Sequence, residues 1–441
     1  MRAHLSNAAY GILDYGAFPL GMLAVAPILL RNLGIAQYGV WTVASAAVSI
    51  GGVIASGFGD ANIQYIATHL GKGQPTVLDR AVRSMMGINL TLGVALALLC
   101  WLLAPRAAAM VTAQSANLDR SCLWSLRVAS VLLVLRALES VCISTQRAFE
   151  RYGAAVRISI VARVLALAVA AGLSYFNRSV VVIVTSTGLL MAAGLWLQFV
   201  KLKQLLSTPS LMPAFDREAM RALFSFGIFS WLQSVAGIIF SQVDRLILGV
   251  SLGAVAVTSY ALSAQMAQPI FGFSAAGLHF LFPYLANRRA STGDAALRRP
   301  VLIALASNAL FVGVLTAVLL LFGELILRIW AGASIAQSAA PVLSSIVWSS
   351  ALLGLNVTAT YALLSLGCVR IVTVANLLGG ALMLLLMFQL IPHIGIQGIA
   401  IARLSYSVVP LALYIPLFYR LFAAQPQGSV RAVLNPVGEE R

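Results

Sequence analysis

Stretches of mostly apolar residues, each long enough to cross a bilayer, recur along this chain between short polar breaks, and that recurrence limits the fold more than any other feature. A helix needs roughly 20 apolar residues to span the hydrocarbon, where every backbone amide must find its partner within the segment. Read with a window of about 19 residues, the sequence predicts about twelve spans. They are Gly11–Leu30, Val40–Ile54, Met85–Leu103, Leu123–Ser144, Ile158–Tyr175, Val180–Val200, Leu223–Val243, Val257–Tyr284, Val301–Phe322, Pro341–Leu364, Ile371–Ile391 and Ile396–Phe418. The composition agrees: of 441 residues, 60% are hydrophobic and 10% charged, more apolar than a water-soluble domain has core to hold. The expected class is an all-α integral membrane protein.

Basic residues orient such a chain, because cytoplasmic loops retain them. With the N-terminus in the cytoplasm, Lys and Arg favour that side by roughly three to one, and an even span count puts both termini there. The same bias accounts for most of the net charge of +16. These charges sit in short loops in ones and twos, a pattern of membrane topology that gives no reason to expect nucleic acid as a partner. The first apolar stretch is followed by no A-x-A cleavage site and is expected to remain as a span. Cys100, Cys122, Cys142 and Cys368 are widely spaced, with no C-x-x-C, and are expected to pack as small apolar residues rather than to hold a metal.

An internal repeat organises the chain. VRISIVARVL (156–165) and VRIVTVANLL (369–378) share six of ten positions at an offset of 370 − 157 = 213, and Leu33-Gly34 and Leu252-Gly253 lie 252 − 33 = 219 apart. Offsets near half the chain length predict a duplication of six spans, with the halves related by a pseudo-twofold along the membrane normal. The expected organisation is 1–200 for the first half, 201–220 for a cytoplasmic linker marked by Pro209 and Pro213, 221–420 for the second half and 421–441 for a cytoplasmic tail.

Three helices carry polar stripes. Thr42, Ser45, Ser49, Gly52 and Ser56 step by three and four toward Asp60; Ser230, Ser234, Gly237, Ser241 and Asp244 do the same; Gln265, Gln268, Gly272, Ala276 and His279 form a looser row. Residues so spaced share one helical face. Such faces either line a polar cavity or let membrane helices pack closely. Ionisable side chains are sharper clues, since each costs about 2.5–3.5 kcal/mol or more at the bilayer centre unless paired or hydrated. Asp14, Arg127, Arg136, Glu139, Arg163, His279 and Arg403 lie inside predicted spans, and Arg31 and Arg245 cap the first and seventh. Arg136 and Glu139, three apart, are spaced for a salt bridge. Arg163 and Arg403 have no acid within a turn, which suits them to an anionic ligand or to snorkelling.

Several stretches carry a family resemblance: LLRNLGIAQYGVW after the first span, VDRLILGVSLGAVAVTSYALS joining the seventh and eighth, FPYLANRR leaving the eighth, and IPHIGIQGIAIARLSYS entering the twelfth. Together they resemble the polysaccharide and O-antigen flippases of the multidrug/oligosaccharidyl-lipid/polysaccharide (MOP) exporter superfamily. The resemblance covers essentially the whole chain and implies a MATE-like V-shaped cavity worked by alternating access. The aspartate-basic pair it expects in the seventh span is matched by Asp244 and Arg245. It implies movement of an undecaprenyl-diphosphate-linked oligosaccharide from the cytoplasmic to the outer leaflet of a bacterial inner membrane. A polysaccharide polymerase and its chain-length machinery are candidate partners.

Such a substrate carries an anionic diphosphate, and arginine's planar fork binds phosphate oxygens in pairs while staying charged. The expected substrate contacts are therefore Arg31, Arg163, Arg245 and Arg403. Asp14, Asp60, Asp244, Arg136, Glu139, His279, Ser234, Ser241 and Gln265 are the expected cavity or ion-coupling residues, with Asp244 holding Arg245 or serving an H+ or Na+ gradient. No metal, cofactor or catalytic constellation is expected, since the chain shows no Gly-rich phosphate loop, paired-carboxylate motif or zinc spacing. Two other readings are a cation-coupled multidrug exporter, which needs acids in its cavity, and a membrane-embedded polysaccharide polymerase or glycosyl or acyl transferase, which needs a large catalytic outer loop.

Overall fold

The computed structural model describes residues 21–55, 59–71, 75–113, 116–149, 152–206, 210–278 and 297–422, with a few isolated positions between 281 and 288. Among these residues the chain is helical, with no strand. The elements are α1 (Gly21–Leu33), α2 (Ile35–Ala55), α3 (Gly59–Gly71), α4 (Pro75–Val111), α5 (Asp119–Ala148), α6 (Tyr152–Phe176), α7 (Val180–Leu206) and α8 (Arg217–Leu278). Then come α9 (Arg298–Ala331), α10 (Ala333–Ser365), α11 (Val369–Ile394), α12 (Ile396–Val408), a short 3₁₀ turn (Val409–Leu413) and α13 (Tyr414–Phe422).

Nine of the described helical stretches are long and apolar enough to cross a membrane. One of them, Ser234–Leu278, is a hairpin, because α8 folds back at Gly253, whose φ of 83° lies outside the helical range. Counting that hairpin twice, the shorter apolar α1, and α5, whose charges lower its hydropathy, gives twelve helical stretches among the described residues, in line with the expected spans. At 37 residues, α4 is about 55 Å long and outreaches a hydrocarbon layer of about 30 Å.

Four tight turns lie at one end of the bundle, at Gly34 (φ 82°), Gly253 (φ 83°), Gly332 (φ 100°) and Gly395 (φ 59°). A side chain there would be strained, so glycine allows one residue to reverse a helix. The turns are neighbours: the Thr258 hydroxyl donates to the Ile35 carbonyl at 2.7 Å, and Gly395 lies against Leu252. At the opposite end, 210–216 runs as an extended strap along α4. Arg83 Nε donates to the Met212 carbonyl at 3.0 Å, and the Ala214 amide donates to the Arg83 carbonyl at 3.1 Å. Asp216 then caps α8 by accepting the Ala219 amide at 2.9 Å. The ends of the expected 201–220 linker are thus helical, since α7 runs to Leu206 and α8 begins at Arg217.

The helices are joined mainly by close packing and side-chain hydrogen bonds, as expected where lipid competes with every apolar contact. Asn308 donates to the Gly354 carbonyl at 2.9 Å, Asn89 to that of Ala137 at 3.0 Å, and Asn62 to the Ser144 hydroxyl at 2.8 Å. One buried core draws on both halves of the chain, with Leu29, Tyr38 and Ile183 in the same cluster as Leu248, Tyr260 and Ile335. The four cysteines are free, and Cys122, Cys142 and Cys368 are buried.

Gly380 of α11 lets the Phe240 ring of α8 approach so closely that a Cβ would lie 2.2 Å from it. Gly380→Val is expected to cost about 1–3 kcal/mol through this overlap, read as a lower melting temperature in detergent. An unchanged melting temperature would show that the helices separate freely there.

Candidate functional site

The sequence stretch SQVDRLILG does not end a span. Its helix continues to Leu252, because nothing before Gly253 breaks it, and Asp244 therefore lies nine residues inside the turn, a depth of about 13 Å. Tyr260 lies seven residues beyond the same turn, and Arg403 eight residues beyond the turn at Gly395. Three side chains from three helical arms thus meet at one depth. Asp244 Oδ2 accepts hydrogen bonds from Arg403 Nη1 and from the Tyr260 hydroxyl, and Oδ1 accepts the Arg245 amide at 2.8 Å. Asp244 is 1% exposed and Tyr260 wholly buried. A lone carboxylate so placed is costly, and here it is offset by a full charge and two further donors.

The expected partner of Asp244 was Arg245, its neighbour in sequence. Adjacent residues point about 100° apart on a helix, so the two side chains diverge, and Arg245 meets Asp244 through its backbone amide alone. The half-buried Arg245 guanidinium makes no hydrogen bond or ion pair with the described residues. Next to this cluster, Tyr38 of α2 and Gln265 of α8 exchange hydrogen bonds at 3.1 and 3.3 Å, linking these two helices.

The stripe above Asp244 is open. Ser234 is exposed, Gly237 has nothing within 4 Å of a Cβ position, and Ser241 is half-buried, its hydroxyl turned to the Ile238 carbonyl at 3.0 Å. The α2 stripe divides. Thr42 is buried and bonds the Tyr38 carbonyl, Ser49 is exposed, and a Cβ at Gly52 would meet the Arg136 side chain of α5 at 3.4 Å. Arg136 pairs with Glu139 at 3.4 Å, and Glu139 accepts the Ser159 hydroxyl of α6 at 3.0 Å, so this pair ties α5 to α6. Arg163 is half-buried on α6. Arg31 is exposed in a cleft of about 450 Å³ between α1 and α9, with Pro27, Ile28, Ile326, Ile329 and Trp330. The Trp330 indole donates to the Leu23 carbonyl at 2.8 Å across that cleft. Asp14, Ser56 and His279 lie outside the described residues; Asp60 falls in α3 and Ser230 in α8, their side chains outside the description.

Sequence reasoning missed Tyr260 and Tyr38 as site residues. The signal was present in the turn glycines: any residue seven to nine positions from Gly253 or Gly395 is brought to one level, and Asp244, Tyr260 and Arg403 all qualify.

These helices, their hairpins and the buried charge cluster define a multi-pass membrane protein of MATE-like architecture. An inward-facing multidrug resistance MATE family transporter of the MOP superfamily is similar over 93% of this chain and 98% of its own, at TM-score 0.69 and 14% identity. The lipid II flippase MurJ in an inward closed conformation is similar over 93% of this chain and 87% of its own, at TM-score 0.74 and 12% identity. The MATE multidrug transporter DinF-BH gives TM-score 0.65 at 16% identity, over 96% of this chain and 97% of its own. No curated protein matches the chain in sequence. The family model described as polysaccharide biosynthesis protein matches residues 28–340, and the chain belongs to that family. The resemblance read from the sequence therefore holds at the level of family and fold.

Proposed function

We propose that this protein moves a lipid-linked oligosaccharide, carried on an undecaprenyl diphosphate, from the cytoplasmic to the outer leaflet of a bacterial inner membrane for surface polysaccharide assembly. Membership of the polysaccharide biosynthesis family carries this reading. The chemistry of the spans supports it: Arg245 presents a cation with no carboxylate partner among the described residues, on the same arm of α8 as the open positions Ser234 and Gly237, about 12–16 Å further along it. In the proposed cycle the glycan uses that polar face, the diphosphate meets Arg245, and the lipid chain lies in the apolar cleft with Arg31 at its head. Arg163 remains a candidate contact on α6. Arg403 reaches an anion only by leaving Asp244, which would free that carboxylate for H+ or Na+. The basic ends of α4 to α7, α11 and α13 mark the cytoplasmic side, and the glycine turns the outer side.

A cation-coupled drug exporter of the same superfamily is the second reading. It needs free acids in the cavity, yet Asp244 and Glu139 are both paired with arginine, which leaves Glu324, eight residues before the turn at Gly332, as the acid for such a reading to use. Glu324 is exposed toward the turn end of α9.

The test is transbilayer movement of lipid-diphosphate oligosaccharide in proteoliposomes, scored by an external glycosidase. Arg245→Ala is expected to slow movement at least about tenfold at unchanged reconstitution, the loss of a charge-assisted phosphate contact. Wild-type rates for Arg245→Ala would remove Arg245 from the substrate path.

A further inference from the structure

One corner of the protein, where α4 and α5 meet near the glycine-turn end, holds a cation that the transport site does not use. Arg120, Trp124, Arg127 and Val131 step by four, three and four along α5 and so share a face. That face meets lipid: Trp124 is 42% and Val131 52% exposed, and the adjoining surface of α4 exposes Leu98, Trp101 and Leu102. The Arg127 guanidinium carbon lies 4.9 Å from the Trp101 ring centre and 5.1 Å from that of Trp124. Its Nε is buried and has no hydrogen-bond partner. Neither Arg120 nor Arg127 has a carboxylate partner among the described residues. Asp119, at the start of α5, accepts the Thr112 hydroxyl at 3.3 Å.

A charged group on a lipid-facing surface needs a counter-charge or a route to water. A merely snorkelling arginine extends toward the headgroups and leaves its neighbours behind. Arg127 instead lies against two indoles, which fix its plane by cation–π contact and leave its terminal N–H groups for an anion. The complement on such a surface is a phosphate attached to a lipid, whose chains match Leu98, Leu102 and Val131.

We propose that this corner binds the headgroup phosphate of an anionic phospholipid, with Arg127 as the main contact, Arg120 as the second cation and the two tryptophans as flanking walls. The site shares no residue with the Asp244 cluster, and the proposal stands whether or not the chain moves oligosaccharide.

The experiment is native mass spectrometry of the full chain from neutral detergent, titrated with phosphatidylglycerol and, separately, phosphatidylcholine of the same acyl chains. The wild-type protein is expected to prefer phosphatidylglycerol. Arg127→Gln is expected to weaken the tightest phosphatidylglycerol site about tenfold and leave phosphatidylcholine unaffected. If Arg127→Gln does not fold, Arg120→Gln at its exposed position serves, with a smaller loss in the same direction. Equal retention of the two lipids by the wild type overturns the proposal. So does unchanged phosphatidylglycerol binding in whichever variant folds.

Discussion

Arg403→Met alone is expected to lower stability by about 3–5 kcal/mol, and adding Asp244→Leu to it is expected to restore most of the loss. The single change leaves a carboxylate that is 1% exposed with only the Tyr260 hydroxyl and one backbone amide to balance it. The double change removes the charge as well as its partner, and apolar side chains in such a place cost little. Melting temperatures of the wild type, both single variants and the double variant in one detergent form the cycle that isolates the pair. Additive losses would mean that the two residues do not depend on one another. Export then separates two roles. A double variant that folds but does not export assigns the pair to transport, whereas one that folds and exports assigns it to structure alone.

Gly39→Val is expected to open the glycine-turn end and abolish export at near-normal protein abundance. A Cβ at Gly39 would lie 1.9 Å from the Ala254 carbonyl oxygen, so α2 and the second arm of α8 cannot keep their present contact with any side chain there. Nearby, Gly249 of α8 lies against Val43 of α2, and Thr258 bonds the Ile35 carbonyl, so α2 and α8 are held together along this line. With the native cysteines replaced, Thr258→Cys is expected to resist a membrane-impermeant thiol reagent and to become reactive when Gly39→Val is added. Equal labelling with and without Gly39→Val would show that this contact is not a barrier to water.

The membrane class and most helix positions were legible in the sequence, because spanning a bilayer imposes a length and an apolarity that composition alone displays. Arg136 and Glu139 were legible as a salt bridge because their spacing lies on a single helix. The Asp244–Arg403 pair was not, since its members are 159 positions apart and their meeting depends on where three hairpins turn. The predicted seventh span stops at Val243, beside Asp244, because a charged residue lowers hydropathy; it does so without breaking a helix, while Gly253 breaks one. Small and hydroxyl residues divided as physical chemistry permits but a single sequence cannot decide: Gly52 packs against Arg136, whereas Ser49, one turn away, is exposed.

The arginines divide in the same way. Arg403 is held by Asp244, Arg127 by two indoles, and Arg31 lies exposed in the cleft between α1 and α9. Arg245, with no partner for its guanidinium among the described residues, is the one the proposed cycle relies on most.

The most direct measurement is the sidedness of lipid-linked oligosaccharide in spheroplasts of the host with the gene deleted, using a lectin or glycosidase that cannot cross the membrane. Complete repeat units are expected to accumulate and to stay protected inside, with exposure restored by the wild-type gene and not by Arg245→Ala. Repeat units that reach the outer leaflet without the protein would contradict the account.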